Sequence, residues 1–446
     1  MRQMKDSGIE WIGQIPQEWN VRRIKFTLAE HSGGSWGTNE GEGESDCVCV
    51  RVADFNYPKL SVGFHDKMTV RSYAKKAIEE GCIKSGDILL EKSGGGDITP
   101  VGRSVLFESN EPMMCANFIE WLRPNQHFDS HFLNYWLAAA YVNGFSKRNV
   151  KQTTGIQNLD VPAFLSERIA APVVDVQVAI ADYLDRKCAE IDALIEAKEK
   201  TNALLRERRQ SIIYEAVTKG LKSDAPMKDS GIEWIGQIPA HWEIVRLRSK
   251  FSFGKGLPIT KADLTDSGVG VISYGQIHSK SNVGTTIKPE LVRFVDNKYL
   301  GTNEASIVCD GDFIFADTSE DLSGCGNCVY VDVDYPLFAG YHTMILHPQK
   351  IDSSKYYSYL FATDAWRSQI RAQATGVKLF SITQKMLRDA LLIEPTEEEK
   401  ERIVTFLDEK CSLTDVVISD NEIAIQKLKE YRQSIIYEAV TGKIEI

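Results

Sequence analysis

Two long stretches of the chain place apolar residues at steps of three and four positions. The first begins at Arg186 and meets no glycine or proline before Gly220. The apolar positions of the two stretches are Ile191, Leu194, Ile195, Leu205, Ile212, Ile213 and Ala216, and then Val417, Ile418, Ile425, Leu428, Ile435, Ile436 and Ala439. This spacing predicts two amphipathic helices of about thirty residues, each roughly 45 Å long. Each apolar face needs a partner, and the other helix is the economical one.

The remaining sequence mixes strand and helix patterns. Residues 47–53 alternate towards a strand, and residues 87–90, after a Ser-Gly turn, predict a buried strand. Residues 131–145 are aromatic at helical spacing. The same order returns later, with a strand at 311–315 and an aromatic helix over 355–372. We therefore expect a mixed α/β protein.

Two segments occur twice in the chain. RQSIIYEAVT occupies residues 209–218 and 432–441, and MKDSGIEWIGQIP occupies 4–16 and 227–239. Both repeats are offset by 223 positions, the difference between 432 and 209 and between 227 and 4. The chain is a tandem duplication, and we expect bodies over 1–185 and 223–408, a central long helix over 186–222 and a second over 409–446. An approximate twofold axis between the copies would make the two helices run antiparallel, as a coiled coil.

The composition is that of a soluble globular protein. Hydrophobic residues make up 43% of the chain, charged residues 26%, and the net charge is −10. No apolar run approaches the roughly 18 residues of a membrane span, and no signal peptide is evident, so we expect a cytoplasmic protein. The nine cysteines are typical of a reducing compartment. The negative charge argues mildly against nonspecific coating of nucleic acid, but it is compatible with a local basic face.

The sequence predicts no catalytic residue, no metal site and no cofactor in this chain. The Asn/Asp-Pro-Pro-Tyr/Phe motif of amino-methyltransferases is absent, and the nuclease-like Glu-Ala-Lys at 196–198 falls on a predicted helix. The histidines lack metal-ligand spacing, and the single CxxC at Cys325 and Cys328 has no second ligand pair. The glycines after Lys92 lack the Gly-Lys-Ser/Thr of a phosphate-binding loop and predict a hairpin.

Polar loops recur at matching places in the two copies, which suits DNA recognition about as well as a plain solvated surface. Lysine and arginine suit guanine and phosphate, asparagine and glutamine suit adenine, and hydroxyls suit phosphate. The candidate DNA contacts are Lys92, Ser93, Arg103, Lys147, Arg148, Lys151, Gln152, Thr153, Thr154, Gln157 and Asn158 in the first copy, and Arg367, Arg371, Gln373, Thr375, Lys378 and Ser381 in the second. Two bodies held apart by a rod suit two half-sites, which lie roughly 34 Å apart when separated by one helical turn.

At this point the chain resembles the specificity (S) subunits of type I restriction-modification systems, the HsdS family. The motifs are IEWIGQIPxxW at 9–19 and 232–242, Gly-Asp-Ile-Leu-Leu followed by Lys-Ser-Gly and Val-Gly-Arg, the Thr-Gly loop, and the closing RQSIIYEAVT. The resemblance implies two pseudo-symmetric mixed α/β target-recognition domains separated by an antiparallel pair of long helices. Each domain would read one half of a bipartite double-stranded DNA target. The usual Pro-Pro-Leu-x-Glu-Gln before the long helix is replaced here by the sequences at 172–177 and 394–399.

The resemblance also implies partners. Two copies of a DNA methyltransferase (M) subunit would dock on the repeated ends, a restriction (R) subunit would complete the complex, and these partners would bind S-adenosylmethionine, ATP and Mg. We expect the matching residues either to dock a partner or to fix the helices against the bodies: Trp11, Trp19, Tyr214, Glu215, Trp234, Trp242, Tyr437 and Glu438. Two alternatives stay open, a coiled-coil scaffold without base readout and an autonomous nuclease or methyltransferase.

Overall fold

The chain folds into two compact units. Our computed structural model describes residues 2–96, 98–152, 155–222, 224–351 and 353–446. Unit 1 consists of Met1–Glu199 with Glu422–Ile446, and unit 2 consists of Lys200–Asn421. Each unit therefore contains one body together with parts of both long helices.

Unit 1 is built on a six-stranded sheet and a three-stranded sheet. Its strands are β1 (Met4–Asp6), β2 (Gln14–Pro16), β3 (Asn20–Arg23), β4 (Leu28–Gly33), β5 (Ser45–Val50), β6 (Phe55–Asn56), β7 (Ser61–Val62), β8 (Val70–Tyr73), β9 (Ile88–Glu91), β10 (Ser104–Leu106), β11 (Met114–Cys115), β12 (Ile119–Pro124), β13 (Val150–Gln152), β14 (Gln157–Leu159) and β15 (Arg168–Ala171). Its helices are α1 (Lys75–Gly81), α2 (Ser130–Val142), α3 (Val161–Ser166) and the first part of α4 (Val174–Lys219). The larger sheet has the order β4-β12-β9-β10-β7-β6, and the smaller one β11-β5-β8.

Strand β9 lies inside the larger sheet of unit 1 and is buried, as its apolar run predicted. All four of its residues are buried. Ile88 and Leu90 pack into the cluster that contains Trp136 of α2, whereas Leu89 packs into a cluster on the opposite face. This alternation is the period of two that a strand covered on both faces requires.

Unit 2 repeats the plan with its own strands. They are β16 (Met227–Asp229), β17 (Gln237–Pro239), β18 (Glu243–Arg246), β19 (Phe251–Lys255), β20 (Leu264–Thr265), β21 (Val269–Ile272), β22 (Arg293–Val295), β23 (Ile307–Val308), β24 (Phe313–Ala316), β25 (Thr318–Ser319), β26 (Cys328–Tyr330), β27 (Leu337–Ala339), β28 (Thr343–Pro348), β29 (Phe380–Ser381) and β30 (Leu391–Glu394). The helices are α5 (Tyr274–Ile277), α6 (Ser354–Phe361), α7 (Asp364–Arg371), α8 (Gln384–Asp389) and the first part of α9 (Glu397–Val440). The main sheets have the orders β19-β28-β24-β26 and β20-β22-β21-β27-β23.

Strand β24 takes in unit 2 the place that β9 takes in unit 1. Phe313 and Phe315 pack into the cluster that contains Phe361, whereas Ile314 and Ala316 pack on the other face. The single aromatic helix predicted over 355–372 is wrong, because the chain divides there into α6 and α7. Thr363 causes the break: its backbone is extended and its hydroxyl caps the next helix, accepting a hydrogen bond from the Trp366 amide at 3.2 Å.

The two long helices begin earlier than predicted and contain 46 and 44 residues rather than about thirty. The prediction placed the first start at Arg186, because only later residues show the spacing of a helix seam. In the structure the first turns pack on the body instead, and Ile180, Ala181 and Leu184 belong to the core of unit 1. The amide of Gln177 fixes this start by donating to the carbonyl of Pro172 at 2.9 Å and accepting from the Asp129 amide at 3.0 Å.

Helix α9 starts with a capping box. The Thr396 hydroxyl accepts from the Glu399 amide at 3.3 Å, and the Glu399 carboxylate accepts from the Thr396 amide at 3.2 Å. Lys400 is the counterpart of Gln177 and is equally buried; its ammonium group donates to the Glu394 carboxylate at 2.7 Å. The segments at 172–177 and 394–399, which depart from the family pattern, therefore begin the two long helices with different hydrogen bonds.

Helices α4 and α9 pack together antiparallel, as predicted. In unit 2, Asn421 donates to Asn202 at 2.8 Å, and Arg209 pairs with Asp415 at 3.3 Å. The residue number rises on one helix as it falls on the other, which defines the direction. In unit 1 the later part of α9 lies on the early part of α4, where Arg432 pairs with Asp192 at 3.3 Å. The coiled-coil prediction is confirmed.

Candidate nucleic-acid interface

In unit 1 the two predicted polar loops meet at the end of β9. The hydroxyl of Ser93 donates to the side-chain carbonyl of Asn158 at 2.6 Å, and the Leu159 amide donates to the Lys92 carbonyl at 2.8 Å. The β13–β14 hairpin is therefore hydrogen-bonded to the segment that follows β9. This pairing brings Lys92 and Ser93 next to Gln157 and Asn158, which lie about sixty-five positions apart in the chain.

A charged group underlies this surface. The Lys92 ammonium lies 2.9 Å from one oxygen of Glu120, and Nδ1 of His31 lies 2.9 Å from the other. The side chain of Glu120 is only 9% exposed, so the Lys92 ammonium and the hydrogen bond with His31 compensate a largely buried carboxylate. Lys92 is thus both a candidate DNA contact and part of the frame that supports the surface.

The side chains of two candidates from this copy lie largely inside the unit rather than on its surface. Arg103 lies 3.6 Å above the ring of Tyr57 and is 3.0 Å from the carboxylate of Glu91, and Gln157 is 7% exposed. These contacts hold both side chains inside the unit. We interpret Arg103 and Gln157 as supports of the surface, and their contact with DNA stays a prediction.

The basic candidates that follow α2 lie on the surface. Arg148 pairs with Glu10, and Lys151 lies 2.6 Å from Asp160 and lowers the pKa of that carboxyl by its hydrogen bond. Lys147 and Gln152 are exposed. Thr153 and Thr154 lie outside the described residues.

Unit 2 joins the equivalent segments in the same way. Strand β25 leaves β24 and pairs antiparallel with β29, with Thr318 opposite Ser381, and the Ile382 amide donates to the Asp317 carbonyl at 2.8 Å. The Ser381 amide donates to the carbonyl of Thr375 at 2.9 Å, which holds the Thr-Gly loop against the same edge. Ser381 and Thr375 therefore occupy the position that Asn158 and its loop occupy in unit 1.

The remaining candidates of unit 2 lie on and after α7. Gln373 and Lys378 are exposed, and Arg371 donates to the Ser323 carbonyl at 2.9 Å. Arg367 lies deeper, where its Nε donates to the Phe361 carbonyl at 2.9 Å and burial lowers the pKa of its guanidinium group. Both arginines line a cleft of about 600 Å³ that also contains His278.

A feature that the sequence did not indicate lies beside each of these surfaces. A short exposed turn connects β11 to β12 in unit 1 and β27 to β28 in unit 2, with Phe118 and His342 at corresponding positions. The Lys92 amide donates to the Phe118 carbonyl at 2.9 Å, and the Asp317 amide donates to the His342 carbonyl at 3.1 Å. The internal alignment of the two copies was the signal that could have found this pair.

The repeated ends pack on each other within each unit. Trp19 in unit 1 and Trp242 in unit 2 are both 1% exposed. Gly442, just after α9, lies against Trp19, and Gly220, just after α4, lies against Trp242. The helix ends cover these two tryptophans, which agrees with the expected role of fixing the helices against the bodies. Their role in docking a partner stays a prediction.

The other repeated residues stand closer to the surface. The Tyr437 hydroxyl donates to the Trp11 carbonyl at 3.1 Å, and the Tyr214 hydroxyl donates to the Trp234 carbonyl at 3.4 Å. All four side chains are half-buried. The neighbouring carboxylates are more open, with Glu215 exposed and Glu438 half-buried.

Neither the cysteines nor the described carboxylates and histidines form a metal centre. Within residues 2–96, 98–152, 155–222, 224–351 and 353–446, no group of three or more histidine, cysteine, aspartate or glutamate side chains is placed to hold an ion. Cys325 and Cys328 are buried, and burial raises the pKa of the Cys328 thiol to about 12. The same part of the chain contains no helix with the length and apolar character needed to cross a bilayer.

Known proteins resemble this chain in sequence and in fold. Residues 239–418 match the family model for the Type I restriction modification DNA specificity domain. The specificity subunit of the type I restriction enzyme MjaVIII from Methanocaldococcus jannaschii is 23% identical over 440 residues, which cover 97% of this chain and 94% of the relative.

Two solved structures share the fold at 13% identity. A chain from a study of complex assembly and conformational transition of the type I R-M system aligns over 96% of this chain and 99% of its own length, with a TM-score of 0.68. The HsdS subunit from Thermoanaerobacter tengcongensis aligns over 96% and 98%, with a TM-score of 0.50. By the family model and the curated relative, the chain is similar to the specificity subunits of type I restriction-modification systems, and the two solved structures share its fold.

Proposed function

We propose that this chain is the noncatalytic subunit that reads DNA for a type I restriction-modification complex, with one unit for each half of a bipartite target. One observation supports this most directly. The same backbone frame recurs in both units with different side chains: the segment after a central strand is hydrogen-bonded to the segment of Asn158 or Ser381 and to an adjacent turn. Lys92 and Asn158 in unit 1 correspond to Asp317 and Ser381 in unit 2. Two equivalent backbone frames with different side chains are suited to two different half-sites.

The candidates divide by the chemistry that they offer. We assign Lys147, Arg148, Lys151 and Lys378 to contacts with DNA phosphates. Contacts between a cation and the DNA backbone increase affinity but carry little sequence information. Gln152, Asn158 and Gln373 offer the amide groups that pair with adenine. Thr153, Thr154, Thr375 and Ser381 supply hydroxyls, while Arg367 and Arg371 lie deeper at the edge of the cleft.

The proposal includes partners that perform the chemistry. Two methyltransferase subunits would meet the matching ends of the units, where Glu215 and Glu438 occupy equivalent positions, and a restriction subunit would complete the complex. S-adenosylmethionine, ATP and Mg would be bound by those subunits, which we place with this chain in the cytoplasm. Incubation of the purified chain alone with labelled S-adenosylmethionine and DNA should give no transfer. Methyl transfer by the chain alone would contradict the noncatalytic assignment.

A selection from random duplexes tests DNA reading. The chain, bound to its methyltransferase partner, is mixed with a pool of random double-stranded DNA, and the retained molecules are sequenced. We expect one enriched motif made of two different parts separated by a fixed gap. Retention without any enriched motif would favour a scaffold that never reads bases.

A further inference from the structure

Residue His342 adopts a backbone conformation that is uncommon for residues other than glycine. Its φ is 55°, in the left-handed region, where a side chain crowds the backbone and glycine is favoured. Such conformations persist where the surrounding structure imposes them, and they cluster at functional sites. At this position the Asp317 amide donates to the His342 carbonyl at 3.1 Å.

The side chain of His342 is held as firmly as its backbone. Its Nδ1 lies 3.2 Å from the carboxylate of Asp317, and the ring of Tyr274 packs edge-on with centroids 5.6 Å apart. A carboxylate only accepts hydrogen bonds, so the proton of the neutral ring is on Nδ1. Nε2 then keeps its lone pair, on a side chain that is 57% exposed.

The surroundings of this ring are those of a recognition surface. A cleft of about 440 Å³ adjoins His342 and is lined by Lys255 and Gln384 among others. The Lys255 side chain supplies the kind of cation that contacts phosphate. In unit 1 the corresponding turn carries Phe118, which is 46% exposed and offers no hydrogen-bonding group.

We propose that His342 is a base-reading residue of unit 2, whose Nε2 accepts a hydrogen bond from the exocyclic amino group of adenine or cytosine. These are the two bases that present an amino donor in the major groove. Asp317 is a positioning residue, because it fixes the ring and the site of its proton. The inference rests on the proposed function and adds a residue and a base class to it.

A glycine variant at position 342 tests base reading separately from folding stability. His342→Gly removes the ring and relieves the left-handed strain, so the thermal midpoint of unfolding should stay equal or rise. In the duplex selection, the enriched motif should lose its preference for adenine or cytosine at one position of one half, by about tenfold. The rest of the motif should be unchanged. Asp317→Asn should weaken the same preference less.

Two matched variants control the experiment. His241→Ala removes another exposed histidine of unit 2 that pairs with a carboxylate, Glu399 at 2.9 Å, and should leave the whole motif unchanged. Phe118→Ala alters the corresponding turn of unit 1, and should leave the half affected by His342→Gly intact.

The outcomes distinguish this inference from the proposed function. If the wild-type complex enriches a split motif and His342→Gly enriches the same motif with the same preferences, the inference is overturned while the proposed function stands. A loss of thermal stability in His342→Gly with no change of motif would show a purely structural role, and it also overturns the inference. If the wild-type complex enriches no motif, both fail together.

Discussion

At the scale of single residues, one frame carries opposite charges in the two units. Lys92 and Asp317 each follow the central strand, and each donates its amide to the carbonyl of the exposed turn. Lys92 joins the buried Glu120 in an ion pair, whereas Asp317 holds the ring of His342. The backbone hydrogen bond is the same in both units, but the side chain is a lysine in one and an aspartate in the other. This contrast between the two copies is the most local observation that supports the proposal of two different half-sites.

A histidine in α2 makes the stability of unit 1 depend on pH. The hydrogen bond with Asp185, at 3.1 Å, raises the pKa of His131, and Glu108 and Asp129 add to the effect. A raised pKa in the folded state gives stabilisation that is complete below the unfolded value of 6.5 and is lost as pH rises through the folded pKa. His131→Gln should therefore lower the unfolding midpoint most at pH 6 and progressively less towards pH 9.

Calorimetry across this pH range checks the prediction. The matched control is His127→Gln, which changes an exposed histidine of the same unit. A deficit of His131→Gln that grows with pH would contradict the sign argued here.

At the scale of elements, a polar pair lies between the long helices of unit 2. Asn202 is 2% exposed and its side chain accepts a hydrogen bond from Asn421 at 2.8 Å. A single Asn202→Leu removes the acceptor of this hydrogen bond, which costs about 0.5–1.5 kcal/mol. Replacement of both residues removes the need for the bond, so the double variant should lose less than the sum of the single variants.

Urea unfolding of the four chains in this cycle measures the coupling. Leu204→Ala, at an exposed position of the same helix, is the control and should change the free energy of unfolding little. Strictly additive losses would show that the two asparagines act independently.

The elements that the sequence predicted well are those whose signal is local. The apolar runs at β9 and β24 and the seam of the long helices express their burial directly in residue order. The helix starts were missed because Ile180 and Leu184 face the body core and not the partner helix. The turn that carries His342 was missed because its exposure depends on the sheet that it joins. The sequence placed Ser93 and Asn158 among the candidates, but only the fold brings them together.

At the scale of the whole molecule, the end of the chain belongs to the unit that contains its beginning. Glu422–Ile446 is part of unit 1, where the Lys443 ammonium donates to the Ile12 carbonyl at 3.0 Å and Gly442 lies on Trp19. Unit 1 is therefore completed by residues that follow unit 2 in the sequence. Unit 2 closes the same way on the end of α4.

Removal of residues 441–446 should destabilise unit 1 selectively. Thr441 is fully buried, and its loss together with Gly442 uncovers Trp19. We expect the unfolding midpoint of unit 1 to fall by several degrees, since a loss of about 1 kcal/mol shifts the midpoint of a domain of 150–250 residues by about 2–4 °C. Calorimetry, with tryptophan fluorescence as a second probe, should show this while the transition of unit 2 stays in place. Removal of only Glu445 and Ile446 is the control, and equal midpoints for both deletions would contradict the account.

The central claim is that two unlike units of one chain direct a methyltransferase to one split sequence. The most direct measurement is the mapping of methylated adenines in the DNA of cells that contain the methyltransferase subunit with or without this chain. We predict methylation at a single two-part, asymmetric motif that appears only when the chain is present. Methylation at the same sites without the chain, or at one uninterrupted motif, would contradict the claim.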